Sequence, residues 1–486
     1  MSRLHHLACL VIATLVGCAA PPTRQRAHPN LVILLADQWR GQALGFLGRE
    51  RVRTPNLDDL ARQSLVLTEA VSNYPVCSPF RAMLMSGQYP FSNRVLGNCN
   101  SDTSPHGCEL QRTTRCWSDV LHDHGYALGY IGKWHLESPR PPFVESANNG
   151  PKMAWNEWTP PDRRHGFDFW HAYNTFDQHL APEYWETAMG RDDRLKVKQW
   201  GPEHEADVAI EFLDAHTNAR QPFALVVSMN PPHMPYQQVP QRYLDDYRDI
   251  PADELIGDRP DLLPAQSRWG RYTRLNMRLQ YAMMTGVDEQ IGRILAALAA
   301  RGLADDTIVV FASDHGDCLG LHGQISKNNH YELSMRIPLI VRWPGVIPAR
   351  HDDLRISVPD LYPTLLDLLG LEGEVPAAVE GVSHAALFRT GIGPRPDDQL
   401  YLKVPTEAPA GGLRGLRTER YTLVIERHED GTESTILRDR LADPYQMENV
   451  ADLHPDVVAT LRSRMEPQLR RLGDPWVTSG AGDAGR

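Results

Sequence analysis

Short apolar runs that each stop at a polar cluster constrain this chain more than any other feature. Leu31–Ala36 ends in Asp37-Gln38, and Gly125–Ile131 ends in Gly132-Lys133-Trp134-His135. Phe223–Ser228 leads to Asn230-Pro231-Pro232-His233, and Thr307–Ser313 ends in Asp314-His315-Gly316-Asp317. A fifth run covers Arg336–Arg342. The runs are continuous rather than alternating, the pattern of strands covered on both faces in a parallel sheet. Helical periodicity lies between them, at 54–63, 117–122, 206–216 and 279–300. Strands alternating with helices predict an α/β fold with a large mixed, mostly parallel sheet flanked by helices. Open sheets of this kind place their ligands outside the carboxyl ends of the strands, where these polar clusters fall.

The texture changes after Arg389. Gly391 to Asp398 reads as a linker. Beyond it, apolar runs at 421–425 and 435–437 flank Asp430-Gly431, a hairpin signal, and 457–472 is amphipathic. The expected organisation is a large α/β domain over 30–390 and a C-terminal α+β subdomain over 398–475 with a small antiparallel sheet and a terminal helix.

Pro75-Val76-Cys77-Ser78-Pro79-Phe80-Arg81 reads as a loop entering a helix, with Ser78 as N-cap and Pro79 in the first turn. Cys77 then sits where a helix start favours negative charge, and Arg81, four residues on, shares its face. Taken singly, each candidate has an ordinary structural explanation. A lone cysteine is usually a packed thiol, and Asp37 suits strand-end turn chemistry. Lys133 and His135 suit an anion contact beside a proton-transfer group. His233, held between prolines, suits a general acid. Asp314-His315 closes the set of four strand ends, with the Cys77 loop and Lys327 nearby, and coincidence does not readily account for their joint occurrence.

Arg3 and the run from Leu7 to Gly17 read as an export signal too short to span a bilayer after maturation. Leu15-Val16-Gly17-Cys18 resembles a bacterial lipobox. Residues 1–17 are then a lipoprotein signal peptide, Cys18 carries the lipid, and 18–29 is a tether to a membrane facing the periplasm or cell surface. An ordinary signal peptide cut near Ala20 is the alternative. The net charge of -11 argues against a nucleic-acid partner. Of seven cysteines, two lie in the leader. Export permits a disulfide among Cys99, Cys108 and Cys116, with Cys77 outside it.

Together these motifs resemble the type I sulfatases of the alkaline-phosphatase-like superfamily. The matching pieces are Asn30–Gln38, Cys77-Ser78-Pro79-Phe80-Arg81, Ser86–Pro90, Gly132–His135, Pro232–Pro235, Ser313–Gly316, Gly320–Gly323, Asp360–Thr364 and Leu441–Asn449. The resemblance implies that a formylglycine-generating maturation enzyme converts Cys77 to 3-oxoalanine, whose hydrate is the nucleophile. It implies one divalent cation, calcium, held by Asp37, Gln38, Asp314, His315 and the modified Cys77. Gln38 stands where an aspartate is more usual, and the lost charge is expected to weaken metal affinity. Arg81 would hold the diol, Lys133 and Lys327 the sulfate oxygens, His233 would protonate the leaving alcohol, and His135 would take the proton that releases sulfate. Asn98 is a further candidate contact to sulfate or to the metal shell.

Residues 137–202 read as a long insertion at the site's rim, with 164–170 as its ordered part. Its Trp155, Trp158, Trp170, Tyr184 and Trp185 suit either stacking on sugar rings or packing of the loop. The expected substrate is a sulfated polysaccharide or oligosaccharide. The alternatives are a phosphonate monoester or phosphodiester hydrolase of the same superfamily, a sulfated-glycan-binding protein without catalysis, and a Cys/His hydrolase that uses the thiol itself.

Overall fold

The computed structural model describes residues 28–478. The signal peptide, Cys18 and nearly all of the tether lie outside the described residues. In β1 (Asn30–Ala36) every residue is buried. Leu31, Ile33 and Leu35 enter one apolar cluster, and Val32, Leu34 and Ala36 enter another. That two-residue alternation into two cores explains why the run carries no polar face.

The other strands of the main sheet are β2 (Leu65–Leu67), β3 (Ala127–Lys133), β4 (Phe169–Tyr173), β5 (Glu183–Glu186) and β6 (Leu195–Lys196). They continue with β7 (Phe223–Met229), β8 (Thr307–Ser313), β9 (Leu339–Arg342) and β10 (Arg350–Asp352). The sheet order is β10-β2-β9-β8-β1-β7-β3-β4-β5-β6. The centre, β8-β1-β7-β3-β4, is parallel. Its register pairs Ala36 with Met229 on one side and Ser313 on the other, so Asp37, Asn230 and Asp314 stand in a row at the carboxyl edge. A second sheet, β11 (Asp398–Lys403), β12 (Gly412–Thr418), β13 (Tyr421–Arg427) and β14 (Glu433–Asp439), is antiparallel throughout.

The small sheet packs on the main one. Leu400, Leu402, Leu416, Leu423, Ile425 and Leu437 belong to the same apolar cluster as Leu31 and Ile33. Asn73, just before the Cys77 stretch, donates from Nδ2 to the Leu400 carbonyl at 2.9 Å, and its own carbonyl accepts from the Leu402 N–H at 2.8 Å.

Several expectations need correction. The 137–202 stretch is not merely a rim insertion, because it carries β4, β5 and β6, which extend the main sheet. These strands are short and mix aromatic with charged residues, so no period stands out. The fifth strand is shorter than expected and runs antiparallel to β8. The long helix starts at Arg268, not near 279, with Ser267 accepting from the Gly270 N–H at 3.0 Å. Its first turns bury Gly270, Thr273 and Met277, which make a weak apolar stripe. The helix Cys77–Ser86 is preceded by Val76 as N-cap, so Ser78 is not the cap. The Ser78 hydroxyl donates instead to the His135 carbonyl at 2.7 Å. Cys99, Cys108 and Cys116 are buried free thiols rather than a disulfide with one left over. Among the described residues, no helix is long and apolar enough to cross a membrane.

Candidate active site

Asp37 leaves β1 fully buried among cations. Its Oδ2 lies 2.7 Å from Lys133 Nζ and 3.0 Å from the Arg81 guanidinium. Burial opposes the charge, yet Lys133, then His233 and Arg81, hold the carboxyl well below the ordinary range. Asp314, at the end of β8, has the opposite fate. Burial first, and then the charge of Asp37, raise its carboxyl to about 7. Arg81 also reaches Asp314 Oδ2 at 3.3 Å, and its other terminal nitrogen donates to the Lys133 carbonyl and to Ser228 Oγ at 2.7 and 2.8 Å. The arginine is therefore locked by groups from β1, β3, β7 and β8.

The ligand atoms of Asp37, Cys77, Asp314 and His315 all lie within 4.8 Å of one another. His315 Nδ1 is 2.9 Å from the Gly316 carbonyl, so Nδ1 carries the proton and Nε2 presents a lone pair. Gln38 is oriented in a similar way. Its Nε2 donates to Tyr236 Oη at 2.9 Å and to Asp317 Oδ2 at 3.0 Å, leaving Oε1 to face Lys327 Nζ at 2.8 Å. Two buried carboxylates, an amide oxygen and one imidazole fit a hard divalent cation. A cation there would also offset the repulsion that raises Asp314.

The thiol of Cys77 sits at the centre of this cluster. It lies 3.2 Å from His315 Nε2, 3.8 Å from Asp37 Oδ1 and 3.9 Å from Lys133 Nζ. Lys133 Nζ also donates to Asn230 Oδ1 at 3.0 Å. The close approach of β3 and β7 depends on Gly132: its φ is +92°, and a Cβ there would meet the Ser228 carbonyl at 2.2 Å.

A cavity of about 370 Å³ opens above Cys77 and is lined by Asn98, Lys133, His135, His233 and Lys327. His135 is buried with neither ring nitrogen hydrogen-bonded. Burial, then Lys133 and Arg81, hold its pKa well below 6.5, so the ring is neutral and able to accept a proton. His233 turns Nδ1 toward the Met234 carbonyl at 2.7 Å, with Asp177 Oδ1 at 3.5 Å. Asn98 lines the wall, and its Oδ1 accepts from the Ser78 N–H at 3.1 Å, capping the first turn of the Cys77 helix.

Thus all the residues expected from the sequence, Asp37, Gln38, Cys77, Arg81, Asn98, Lys133, His135, His233, Asp314, His315 and Lys327, converge on one site. Of the insertion's aromatics, Trp155 lines the cavity, tilted against His135 at 6.1 Å, while Trp170, Tyr184 and Trp185 are buried in packing. Sequence reasoning missed Asp177 and Thr175, which reach the cavity from just beyond β4. It also missed Tyr236 and Asp317, which fix Gln38. Asn230 was legible as the residue beyond β7, but Asp177 sits in a stretch without periodicity and carries no such signal.

Residues 29–371 match the Sulfatase family model, and residues 320–473 match that of the N-sulphoglucosamine sulphohydrolase C-terminal region. The chain is similar to an endo-4-O-sulfatase of Bacteroides thetaiotaomicron, 38% identical over 500 residues that cover 95% of this chain and 96% of that protein. It is also similar to an ulvan-active sulfatase of Formosa agariphila, 31% identical over 498 residues, covering 98% and 89%. Among solved structures, yidJ of Bacteroides fragilis, assigned to the sulfatases, matches with a TM-score of 0.92 at 47% identity, covering 95% of this chain and 99% of that one. The chain belongs to the type I sulfatase family and is a sulfuric ester hydrolase.

Proposed function

We propose that this enzyme removes sulfate from a sulfated polysaccharide or its oligosaccharides, using formylglycine at position 77 and one calcium ion. The observation that carries the reading is the convergence of Lys133, His135, His233 and Lys327 on one cavity directly above the acidic cluster. The cation and the hydrated aldehyde would supply charge stabilisation and the attacking oxygen. The chain's own groups divide the remaining work. Lys133 and Lys327 bind the sulfate oxygens, and Arg81 holds the residue at position 77 in place. His233 donates a proton to the departing alcohol, and neutral His135 accepts the one whose loss frees sulfate.

The polysaccharide substrate is supported by the two bacterial relatives, an endo-4-O-sulfatase and an ulvan-active sulfatase. Trp155 at the cavity wall offers a flat apolar face for a sugar ring. We further propose that a maturation enzyme reads Cys77-Ser78-Pro79-Phe80-Arg81 before folding buries it. Export with a lipid on Cys18, a tether over 18–29, a catalytic domain over 30–390 and a subdomain over 398–475 complete the reading. The test is release of inorganic sulfate from a panel of sulfated oligosaccharides by calcium-loaded enzyme made with a maturase, beside phenyl phosphonate esters. Sulfate release from simple aryl esters alone, or a higher kcat/KM on phosphonates, refutes the assignment.

A further inference from the structure

A larger cleft, of about 600 Å³, lies between the main sheet's carboxyl edge and residues 440–446, just after β14. Arg336 precedes β9, which runs antiparallel to β8, so it stands at the same edge as Asp314. The segment from 314 to 336 walls both spaces: His322 and Arg336 face the cleft, Ser326 and Lys327 face the active-site cavity.

Most charges lining the cleft are already matched. Glu50 pairs with Arg40 and Asp261 with Arg259. Glu69 and Glu332 are both held by Arg417 and Arg440. Two lining guanidiniums remain. Among the described residues, Arg336 and Arg49 make no side-chain hydrogen bond or ion pair, although Arg336 is only 9% exposed. Burial holds the Arg336 guanidinium below its ordinary pKa, although Glu332 and Glu69 oppose this. Gln446 adds a third donor. Its Oε1 accepts from the Glu332 N–H at 2.7 Å, so Nε2 points the other way, buried and without an acceptor. Asp258 is the exposed lining carboxylate without such a partner among the described residues. Gln446 Nε2 is the buried donor of the three, and such a donor is costly unless an acceptor fills the space beside it.

We infer that this cleft is a second oxyanion site, in which Arg49, Arg336 and Gln446 Nε2 bind a sulfo or carboxylate group. Guanidiniums suit the planar or tetrahedral oxygens of such groups, and the buried Gln446 Nε2 lacks an acceptor beside them. The group has two possible sources. It is either carried on a neighbouring residue of the glycan chain, which rests on the polysaccharide reading above, or it is free inorganic sulfate.

Selenate soaked into crystals of the full chain is the probe, and its anomalous signal locates the anion. A peak in the cleft beside Arg336 and Gln446, lost in Arg49→Ala and Arg336→Gln, supports the site. Absence of that peak, while one appears in the active-site cavity, overturns it. If Arg336→Gln does not fold, Arg49→Ala, which changes an exposed rim residue, decides alone. Steady-state kinetics separates the sources. If the anion belongs to the glycan, Arg49→Ala raises KM for a sulfated oligosaccharide about tenfold more than KM for a small aryl sulfate, the effect of one lost charged contact. An equal change in both KM values, with the peak present, identifies free sulfate. If no oligosaccharide is hydrolysed at all, the polysaccharide reading falls and the selenate experiment still decides this one.

Discussion

Replacing Gln38 with glutamate separates what the motif suggests from what its surroundings allow. An acidic residue there restores the charge usual at this position, and the motif alone predicts tighter metal binding. The structure predicts a large cost to the fold. Gln38 Nε2 is 3.0 Å from Asp317 Oδ2, and both residues are fully buried. A carboxylate oxygen in place of Nε2 sets two negative charges about 3 Å apart, a repulsion of about 5 kcal/mol at an effective dielectric constant near 20. The lost charged hydrogen bond adds about 1.5–3 kcal/mol. Tyr236 cannot repair this, because its hydroxyl already donates to Asp317 at 2.5 Å. Relaxation and proton uptake recover part of the sum, so the expected loss is about 3–5 kcal/mol. Urea unfolding of chelator-treated Gln38→Glu and wild-type protein at pH 8 measures it. A difference below about 1 kcal/mol would refute the argument that Asp317 dictates an amide at position 38.

Four further outcomes are expected. His233→Asn lowers kcat/KM on alkyl sulfates by about 10²–10⁴-fold and much less on aryl sulfates with good leaving groups, because only the former need the proton. Intact-mass measurement of protein made with a maturase shows thiol replaced by aldehyde at position 77, and unmodified Cys77 in active enzyme excludes that nucleophile. Chelation lowers both activity and Tm and added calcium restores them, since a ligand bound only by the folded state stabilises it. Finally, Glu205→Gln changes how stability varies with pH. Burial raises the Glu205 carboxyl to about 8 from 4.5, although Tyr184 and Tyr173 donate to Oε1 at 3.1 and 3.4 Å. Such a group favours the fold fully below the unfolded value and loses that contribution as pH rises to its folded value. Wild type therefore loses roughly 3–5 kcal/mol relative to Glu205→Gln between pH 4.5 and 8 and no more above that, readable by urea unfolding across the range. A flat difference contradicts it.

By itself the sequence determined the sheet's centre and the cluster of polar residues at its carboxyl edge. Continuous apolar runs demand strands buried on both faces, and parallel register then brings the residues after each run to one edge. Asp37, Lys133, His233 and Asp314 were therefore legible together, because each ends its strand or follows it within a few residues. The 33-residue helix was partly legible, its first turns hidden by a weak inward stripe of Gly270, Thr273 and Met277. The strands within 137–202 were not legible, because short strands rich in aromatic and charged residues have no period to reveal them, although Trp155, Thr175 and Asp177 do reach the cavity. Tertiary structure alone decided the surroundings of the site. The Asp317 carboxylate that holds Gln38 comes from a loop nearly three hundred residues away, at a sequence separation of 279. Likewise, only the packing of the segment after β14 leaves Arg49, Arg336 and Gln446 facing one cleft. Local sequence can specify a strand and the residue that ends it, but pairing, charge balance and orphaned donors depend on which distant segments meet.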